Sequence, residues 1–260
     1  MHHHGVSDQL DRVHVVGMGE VGRRLATALS GAGLDVAQVT RETGWDAALD
    51  DRGELLVICV REEVLASVLP RLEAVAPERV VLVQNGWIRP LLGRFEAATR
   101  ALVWFTSKGE FFRVLRPSIL AGPAARPLAA MLTQGGIPAE AASVETFAGA
   151  EAEKMGFNCV VGLPLAVHRV SLAEYLARHR EEARMLFGES VAAPARALGV
   201  PVSPEWWPAF LAVAEPLGWV RAAAAKALEF RNGAVLRLAR ETGLEAPITE
   251  RLLAAAGFSA

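Results

Sequence analysis

Three glycines close to the start of the chain constrain its fold more than any other feature. An apolar run at 13–16 precedes the sequence G-M-G-E-V-G, and a helix-like pattern of apolar residues follows it. In such a motif Gly17 allows a tight turn, Gly19 admits a pyrophosphate against the backbone, and Gly22 lets the helix pack on the strand. N–H groups at the helix start would hold the phosphates. The motif predicts a dinucleotide-binding turn, or else a glycine-rich turn without a ligand, made of Gly17, Met18, Gly19, Glu20, Val21 and Gly22.

The end of the second predicted strand, at 34–40, indicates which dinucleotide would bind. NAD sites usually place Asp or Glu about 20 residues beyond the glycines, where it binds the ribose 2′-hydroxyl. This chain has Thr40 and Arg41 there, and a guanidinium binds a 2′-phosphate that a carboxylate would repel. We therefore expect NADP(H) as the cofactor, with Arg41 on the 2′-phosphate. Two alternatives stay open: Glu42 pairs with Arg41, or Arg41 is a solvated turn residue.

The order of apolar runs indicates the fold class. Such runs predict further strands at 54–60, 79–84, 100–106 and 118–122. Helical patterns lie between them, which is the doubly wound α/β arrangement. From 144 onward the chain is rich in alanine and predicts only helices, at 145–169, 172–187, 191–198, 205–215, 218–242 and 248–256. We expect an α/β protein with an NADP-binding Rossmann domain of parallel strands at 1–143 and an all-helical substrate and dimerisation domain at 144–260.

Polar segments follow two of the predicted strands, at the sheet edge where ligands bind in open α/β folds. The first is the turn Gln84-Asn85-Gly86-Trp87. Asn85 is either a plain turn residue or a contact to the nicotinamide ribose or the substrate. The second segment, at 106–110, contains Lys108. This lysine is a candidate cation for a substrate carboxylate, and the alternative is a solvated loop residue.

A second set of polar residues lies on the first predicted helix of the C-terminal half. Glu151, Lys154 and Asn158 share one helical face because they are three and four residues apart. Their neighbours are mostly apolar, so the lysine would be partly desolvated and able to donate a proton near neutral pH. An amide one turn further on could orient a substrate oxygen. The alternative is a lysine at the edge of the core, paired with Glu151 or Glu153.

Composition and charge exclude several classes of partner. The chain is 52% hydrophobic and 22% charged, with a formal net charge of −2 at pH 7. Since no basic stripe is present, neither nucleic acid nor an anionic membrane surface is an expected partner. The longest apolar stretch, at 159–167, is too short to span a bilayer.

The cysteines and histidines indicate neither a disulfide framework nor a metal site. Cys59 and Cys159 lie in apolar runs and are interpreted as free thiols of a cytoplasmic protein. His2, His3 and His4 are interpreted as an expression tag rather than as metal ligands. No role is assigned to the scattered histidines His14, His168 and His179.

Motifs along the whole chain also occur together in one known family. They are G-M-G-E-V-G, Thr40-Arg41, Gln84-Asn85-Gly86, Lys154-Met-Gly-Phe-Asn158 with Pro164-Leu165, and the segment from Arg231-Asn232-Gly233 to Pro247. In this order they resemble the ketopantoate reductases (2-dehydropantoate 2-reductases). The resemblance implies an NADPH site, a catalytic proton donor at Lys154, asparagines for cofactor and substrate at Asn85 and Asn158, and the 2′-phosphate arginine at Arg41.

The chain departs from that family at several positions. The family commonly has a lysine just after the third strand, where this chain has Val60, and a second asparagine one turn after the first, where it has Gly162. The Ser and Glu that hold the polar end of ketopantoate in the family correspond to Glu215 and Ala227. Loss of these hydrogen-bond partners would weaken binding of a hydroxylated keto acid. The departures are concentrated on the substrate side.

These features predict an NADPH-dependent oxidoreductase that acts on the C=O group of a small 2-keto acid, with ketopantoate itself a doubtful substrate. The alternatives are a non-catalytic NADP(H)-binding or sensor protein and a reductase of a C=N bond. A small-molecule substrate and, because of the aromatic and alanine-rich helices, a homodimer are the partners considered. Val60 completes the expected cofactor set, and the candidate substrate residues are Lys108, Asn158, Gly162 and Asn232.

Overall fold

A computed structural model of the chain describes residues 10–49 and 54–258. The described residues form two compact units. One contains the chain up to Gln84 together with Ile88–Phe147, and the other contains Asn85–Trp87 together with the residues from Ala148 onward. The interpretation of His2, His3 and His4 as a tag concerns residues outside the described ranges.

The first unit is built on a seven-stranded sheet and a separate two-stranded hairpin. The strands are β1 Arg12–Val16, β2 Asp35–Val39, β3 Leu55–Ile58, β4 Val80–Leu82, β5 Thr99–Leu102, β6 Phe105–Lys108, β7 Phe111–Val114, β8 Ser118–Ala121 and β9 Ala139–Ala141. The sheet order is β2-β1-β3-β4-β5-β8-β9, and β6 pairs with β7. All neighbours in the sheet are parallel except β5 and β8, which are antiparallel. The predicted α/β fold with a doubly wound, mainly parallel sheet is confirmed.

Helices connect these strands as the apolar periodicity predicts. They are α1 Glu20–Gly31, α2 Asp46–Leu49, α3 Glu62–Val68, α4 Arg89–Leu92 and α5 Ala125–Gln134, with 3₁₀ turns at Leu69–Leu72, Pro77–Arg79 and Gly93–Ala97. Leu25 and Leu29 of α1 are buried in one core with Val13 and Val15 of β1. Each position of β3 and of β4 is buried, because a parallel strand covered on both faces needs a continuous apolar run.

The expected strand at 100–106 is two strands in different sheets, and this prediction was therefore wrong in part. The chain leaves the large sheet at Trp104, whose N–H donates to Ser118 Oγ at 3.1 Å. The carbonyl of Trp104 accepts from the N–H of Leu115 at 2.8 Å. These bonds redirect the chain into the hairpin of β6 and β7, so Lys108 lies on a strand opposite Phe111 and not in the loop expected for it.

The second unit is helical. Its elements are α6 Val144–Val160, of which the residues from Ala148 belong to this unit, then α7 Leu163–His168, α8 Leu172–Arg178, α9 Arg180–Leu198, α10 Trp206–Ala214, α11 Asn232–Thr242 and α12 Pro247–Ala255. Two 3₁₀ turns lie at Glu215–Leu217 and Leu228–Phe230. Helix α8 begins with a capping box: Ser171 Oγ accepts from the N–H of Glu174, whose carboxylate accepts from the N–H of Ser171. Among residues 10–49 and 54–258 no helix has the length and apolarity needed to cross a membrane.

Several predicted helix boundaries in this unit were wrong. The expected helix 145–169 is divided by Gly162, which precedes Pro164 in the first turn of α7. Helix α9 runs without interruption through 188–190, where two helices were expected. Residues 218–227 are not helical, because the carbonyls of Gly218 and Val220 accept hydrogen bonds from the first residues of α8 at 2.9 Å. Periodicity along the sequence cannot register such bonds to a distant segment.

Candidate functional site

The glycine turn lies between β1 and α1, and two of its glycines are required by packing. Gly17 has φ +91°, and its N–H donates to the carbonyl of Val39 at 3.2 Å. A Cβ at Gly17 would lie 3.1 Å from the backbone nitrogen of Val60, and a Cβ at Gly22 would lie 1.9 Å from the carbonyl oxygen of Gly17. The start of α1 therefore packs directly on its own turn and on the end of β3, as the motif predicts.

Gly19 differs from the other two glycines of the motif. A Cβ at this position would meet no atom within 4 Å, and the residue is exposed. Gly19 is the N-cap of α1 and supplies no side-chain cap, so packing within the first unit does not explain the glycine. The backbone N–H groups of the first turn of a helix attract anions. A ligand phosphate is the partner that this geometry accommodates.

Glu20, the first residue of α1, is turned toward the β6–β7 hairpin. Its carboxylate accepts from Ser107 Oγ at 3.0 Å, from the N–H of Gly109 at 3.4 Å and from Arg23 at 2.8 Å. The bond from Ser107, with smaller contributions from Gly109 and Arg23, lowers the pKa of Glu20. Arg24 donates to Ser107 Oγ at 3.0 Å and to the carbonyl of Gly109 at 2.7 Å. The hairpin is thus fastened to the helix start by bonds between residues distant in the chain, such as Glu20 and Ser107, and local sequence patterns do not predict such bonds.

The end of β2 carries the residues expected to select the cofactor. Thr40 Oγ1 accepts from the N–H groups of Glu42 and Thr43, each at 3.2 Å, and this turn holds the residues that follow the strand. Arg41 is exposed and has no ion-pair partner within the described ranges, so the alternative pairing with Glu42 is not found. The guanidinium is accessible to an anionic ligand.

A buried glutamine organises the end of β3. Gln84 Nε2 donates to the carbonyl of Ile58 at 2.9 Å and to that of Val60 at 3.0 Å. Both carbonyls lie where β3 gives way to α3, so the amide fixes the backbone that faces Gly17. The sequence pattern places Gln84 only in a turn. The signal that could have found its role is a polar residue at the end of a buried apolar run.

In the second unit, Lys154 and Asn158 lie on α6, where every residue from Ala150 to Val160 is buried. Lys154 is 4% exposed, and its Nζ lies 4.8 Å from the centroid of the Phe157 ring. Glu151 and Glu153 are also buried. Lys154 therefore lies inside the core and not at its edge, and its pairing with Glu151 or Glu153 stays an alternative to a role in proton transfer.

Asn85 and Asn158 are brought together in this unit. Asn158 Nδ2 donates to the backbone carbonyl of Asn85 at 2.6 Å, and the N–H of Trp87 donates to the carbonyl of Phe230 at 2.7 Å. The Asn85–Trp87 segment is thereby anchored among the helices. Asn85 Oδ1 is buried and has no hydrogen-bond partner among the described residues. A buried acceptor in this condition is paired by an ordered water or by a ligand.

Two of the positions at which the chain departs from the family pattern, Gly162 and Ala227, have no polar side chain. Gly162 precedes α7, and Ala227 is in the left-handed region with φ +50°. Neither residue type has a side chain that can form a hydrogen bond. Glu215 is exposed in a 3₁₀ turn. Asn232, at the start of α11, is 1% exposed, and its Nδ2 has no partner among the described residues. It is a second buried amide with unused hydrogen-bonding capacity.

The structure also corrects the description of the histidines as scattered. His168 and His179 are stacked, with ring centroids 4.2 Å apart and planes inclined by 25°. His14 is separate from them and forms a hydrogen bond with Glu54 in the first unit. A histidine at the end of one short helix and another before the next long helix gave no periodic signal in the sequence.

Comparison with known proteins gives matches only among solved structures. Neither the scan against protein-family models nor the search of curated proteins finds a match. D-mandelate dehydrogenase in complex with NADH matches with a TM-score of 0.76 at 14% sequence identity, over 95% of this chain and 97% of the other. The PanE/ApbA family ketopantoate reductase from Ralstonia eutropha JMP134 matches with a TM-score of 0.75 at 19% identity, over 95% and 97% of the two chains.

A dimeric ketopantoate reductase from Staphylococcus aureus also matches, with a TM-score of 0.74 at 19% identity, over 95% of this chain and 99% of the other. At these identities the comparisons establish the fold. The resemblance inferred from the motifs is confirmed at that level: the chain has the fold of the ketopantoate reductases.

Proposed function

We propose that this chain is an NADPH-dependent reductase of a small 2-keto acid other than ketopantoate. The observation that carries the proposal is the pair of buried residues Lys154 and Asn158, which lie one turn apart on α6. Asn158 also donates a hydrogen bond to the backbone carbonyl of Asn85. A buried lysine beside oriented amides suits proton donation to a carbonyl oxygen. The neighbours in fold are named as reductases and a dehydrogenase, which supports the same class of chemistry.

The first unit, in this proposal, holds the cofactor. The open position at Gly19 and the N–H groups that begin α1 suit a pyrophosphate. Arg41, exposed at the end of β2 and without an ion-pair partner among the described residues, suits a 2′-phosphate and favours NADPH over NADH. When bound, the cofactor supplies the hydride. The negative charge of Glu20, close to the open position at Gly19, is offset by its ion pair with Arg23 at 2.8 Å.

The second unit supplies the proton and orients the substrate. Lys154 Nζ holds a proton and donates it to the carbonyl oxygen as the carbonyl carbon is reduced, and the amine is reprotonated afterwards. Asn158 uses one N–H on the Asn85 carbonyl, which fixes the plane of its carboxamide. Asn85 Oδ1 and Asn232 Nδ2 remain to bond polar groups of the ligands. Burial of these groups excludes water and strengthens their electrostatic interactions.

The departures from the family pattern favour a substrate without a polar side chain. A site that hydrogen-bonds a substrate hydroxyl discriminates strongly against an analogue without that hydroxyl. This chain lacks the polar side chains for such bonds at Gly162 and Ala227. A 2-keto acid without a polar side chain would leave nothing unpaired there. The structure of D-mandelate dehydrogenase with NADH and anilino(oxo)acetate, which matches this chain with a TM-score of 0.73 at 14% identity, supports a search among 2-oxo acids with apolar substituents.

Cofactor titration followed by turnover assays tests the proposal. The protein is titrated with NADPH and NADH, and NADPH oxidation is then followed with ketopantoate and with a series of apolar 2-keto acids, each with and without an amine. Lys154→Ala is compared with Arg184→Ala, an exposed residue of α9. We expect tighter binding of NADPH than of NADH. In Lys154→Ala, kcat should fall by about 10²- to 10⁴-fold with the NADPH affinity unchanged.

The outcomes separate the alternatives. Wild-type turnover by Lys154→Ala would contradict the assigned proton donor. NADPH binding without reduction of any keto acid would indicate a non-catalytic or sensor protein, and turnover only with an amine would indicate a C=N reductase. Failure to bind either dinucleotide would refute the assignment as a whole.

We further propose a cytoplasmic location and a homodimer. Cys59 and Cys159 are free, which is typical of a reducing compartment. Trp219 and Val202 of the second unit are exposed apolar side chains, and the Staphylococcus aureus neighbour is described as dimeric. Sedimentation equilibrium tests the dimer, and a monomer at assay concentrations would contradict it.

A further inference from the structure

Three helices of the second unit bring two histidines and a carboxylate to one place. His168 ends α7, His179 lies between α8 and α9, and Glu182 is in the first turn of α9. One potential ligand atom from each lies within 4.8 Å of those of the other two. All three residues are partly buried. We define these residues as the His-His-Glu cluster.

The carboxylate of the cluster is held in place by its surroundings. Glu182 Oε1 contacts His168 Nε2 at 2.7 Å and accepts from the hydroxyl of Tyr175 at 3.0 Å. Its other oxygen forms an ion pair with Arg251. Burial would raise the pKa of Glu182, but the bonds from Arg251, His168 and Tyr175 outweigh it and lower that pKa. The contacts with His168, Tyr175 and Arg251 orient the carboxylate.

Three aromatic rings lie beside the carboxylate. The rings of His168 and His179 are stacked, and the Tyr175 ring is stacked against both, with centroids 5.6 and 5.7 Å away. Tyr175 is fully buried, and its hydroxyl donates to Glu182. Hydrogen bonds to a ligating carboxylate orient it and tune its affinity.

We propose that the His-His-Glu cluster is a binding site for a divalent transition metal of the Zn²⁺ type. Transition-metal ions of this type bind readily to two imidazoles and one carboxylate, whereas Mg²⁺ and Ca²⁺ prefer oxygen ligands. Because the two rings are nearly parallel, His179 turns about its side-chain bonds to direct its lone pair to the ion, and its partial exposure allows this. The ion would join the end of α7 to the start of α9.

The experiment must separate this site from the histidines at the start of the chain. His2, His3 and His4 would bind the same ions, so all variants are made in the full chain with His2→Ala, His3→Ala and His4→Ala as the background. The background protein is titrated with Zn²⁺ by calorimetry and with Co²⁺ by visible absorption, after removal of metals with a chelator. We expect one ion per chain, Co²⁺ bands of a histidine-ligated site, and a higher Tm with Zn²⁺.

Substitutions within the cluster locate the binding. His179→Ala and Glu182→Gln should each weaken Zn²⁺ binding by at least about 10- to 100-fold and remove the rise in Tm. Glu181→Gln, which changes an exposed carboxylate of the same helical turn, should bind as the background does. Mg²⁺ should have no effect.

Two results would overturn the proposal. One is a background protein that takes up no Zn²⁺ or Co²⁺. The other is a set of cluster variants that bind Zn²⁺ as Glu181→Gln does. Circular dichroism of each metal-free variant verifies that it is folded. Because Glu182 also bonds Tyr175 and Arg251, Glu182→Gln could unfold the protein, and in that case His179→Ala tests the binding by itself. The readouts do not depend on reductase activity.

Discussion

Replacing two glycines of the same turn, one at a time, should separate the folding role of the motif from its ligand-binding role. In Gly22→Ala the new Cβ would lie 1.9 Å from the Gly17 carbonyl oxygen and 3.2 Å from Cys59 Cβ. In Gly19→Ala the new Cβ would meet nothing within 4 Å. The φ of −71° at Gly19 suits any residue. The two variants add the same methyl group a few residues apart.

The expected cost of Gly22→Ala follows from that contact. The non-bonded optimum is about 3.5–4.0 Å, and the obstacle is backbone, which cannot rotate away as a side chain can. Overpacking costs about 1–3 kcal/mol, and we take the upper end. Because alanine has a more favourable helix propensity than glycine by about 1 kcal/mol, the free energy of unfolding should fall by roughly 2 kcal/mol. This corresponds to a Tm lower by about 4–8 °C.

Gly19→Ala should leave stability nearly unchanged. Alanine is a poorer N-cap than glycine, but it also reduces the entropy of the unfolded chain by about 0.4–1 kcal/mol, so the two effects nearly cancel. If the pyrophosphate lies against this backbone, the methyl group should weaken NADPH binding by at least about 10-fold, or 1.4 kcal/mol.

Urea denaturation and NADPH fluorescence titration of both variants and the wild type measure these effects. A Gly22→Ala variant as stable as the wild type would contradict the close approach of α1 to its own turn. Full NADPH affinity in Gly19→Ala would refute the phosphate position. A protein that binds no NADPH already refutes the proposed function and is recognised before the variants are compared.

Three further changes have defined outcomes. Arg41→Ala should lower NADPH affinity by roughly 10- to 100-fold and leave NADH affinity unchanged; equal loss for both would exclude a 2′-phosphate contact. Gly156→Ala should cost about 1–3 kcal/mol in urea denaturation, since its Cβ would lie 2.6 Å from Val191 and 2.7 Å from Phe187. Glu182 has a folded pKa below its usual 4.5, so its stabilising contribution is present above that value and is lost as pH falls through the folded pKa. Glu182→Gln should reduce this loss of Tm at acid pH, measured in metal-free protein, and an unchanged pH profile would contradict it.

Local pattern was sufficient to predict much of the first unit. Continuous apolar runs identified the buried strands β3 and β4, because a strand covered on both faces must be apolar throughout. The spacing of Gly17 and Gly22 anticipated the contact between α1 and its turn, since both residues meet within a few positions of the chain. The helical spacing of Lys154 and Asn158 likewise placed them one turn apart on α6.

Contacts between distant segments were not predictable in this way. The hairpin of β6 and β7 is fastened to α1 through Glu20 and Ser107, which are 87 residues apart. The carbonyl of Asn85 meets Asn158 across 73 residues. Periodicity reports which side chains share a face of one element, but it does not report which other element that face will meet.

The sequence alone thus determined the fold class, the position of the glycine turn and the one-turn separation of Lys154 and Asn158 on a helix, because each follows from neighbours within one or two helical turns. Tertiary structure decided that Lys154 is buried, that the fifth strand divides at Trp104, and that His168, His179 and Glu182 meet. These outcomes depend on how the elements pack, and packing satisfies backbone hydrogen bonds and fills space among residues that are far apart in the chain.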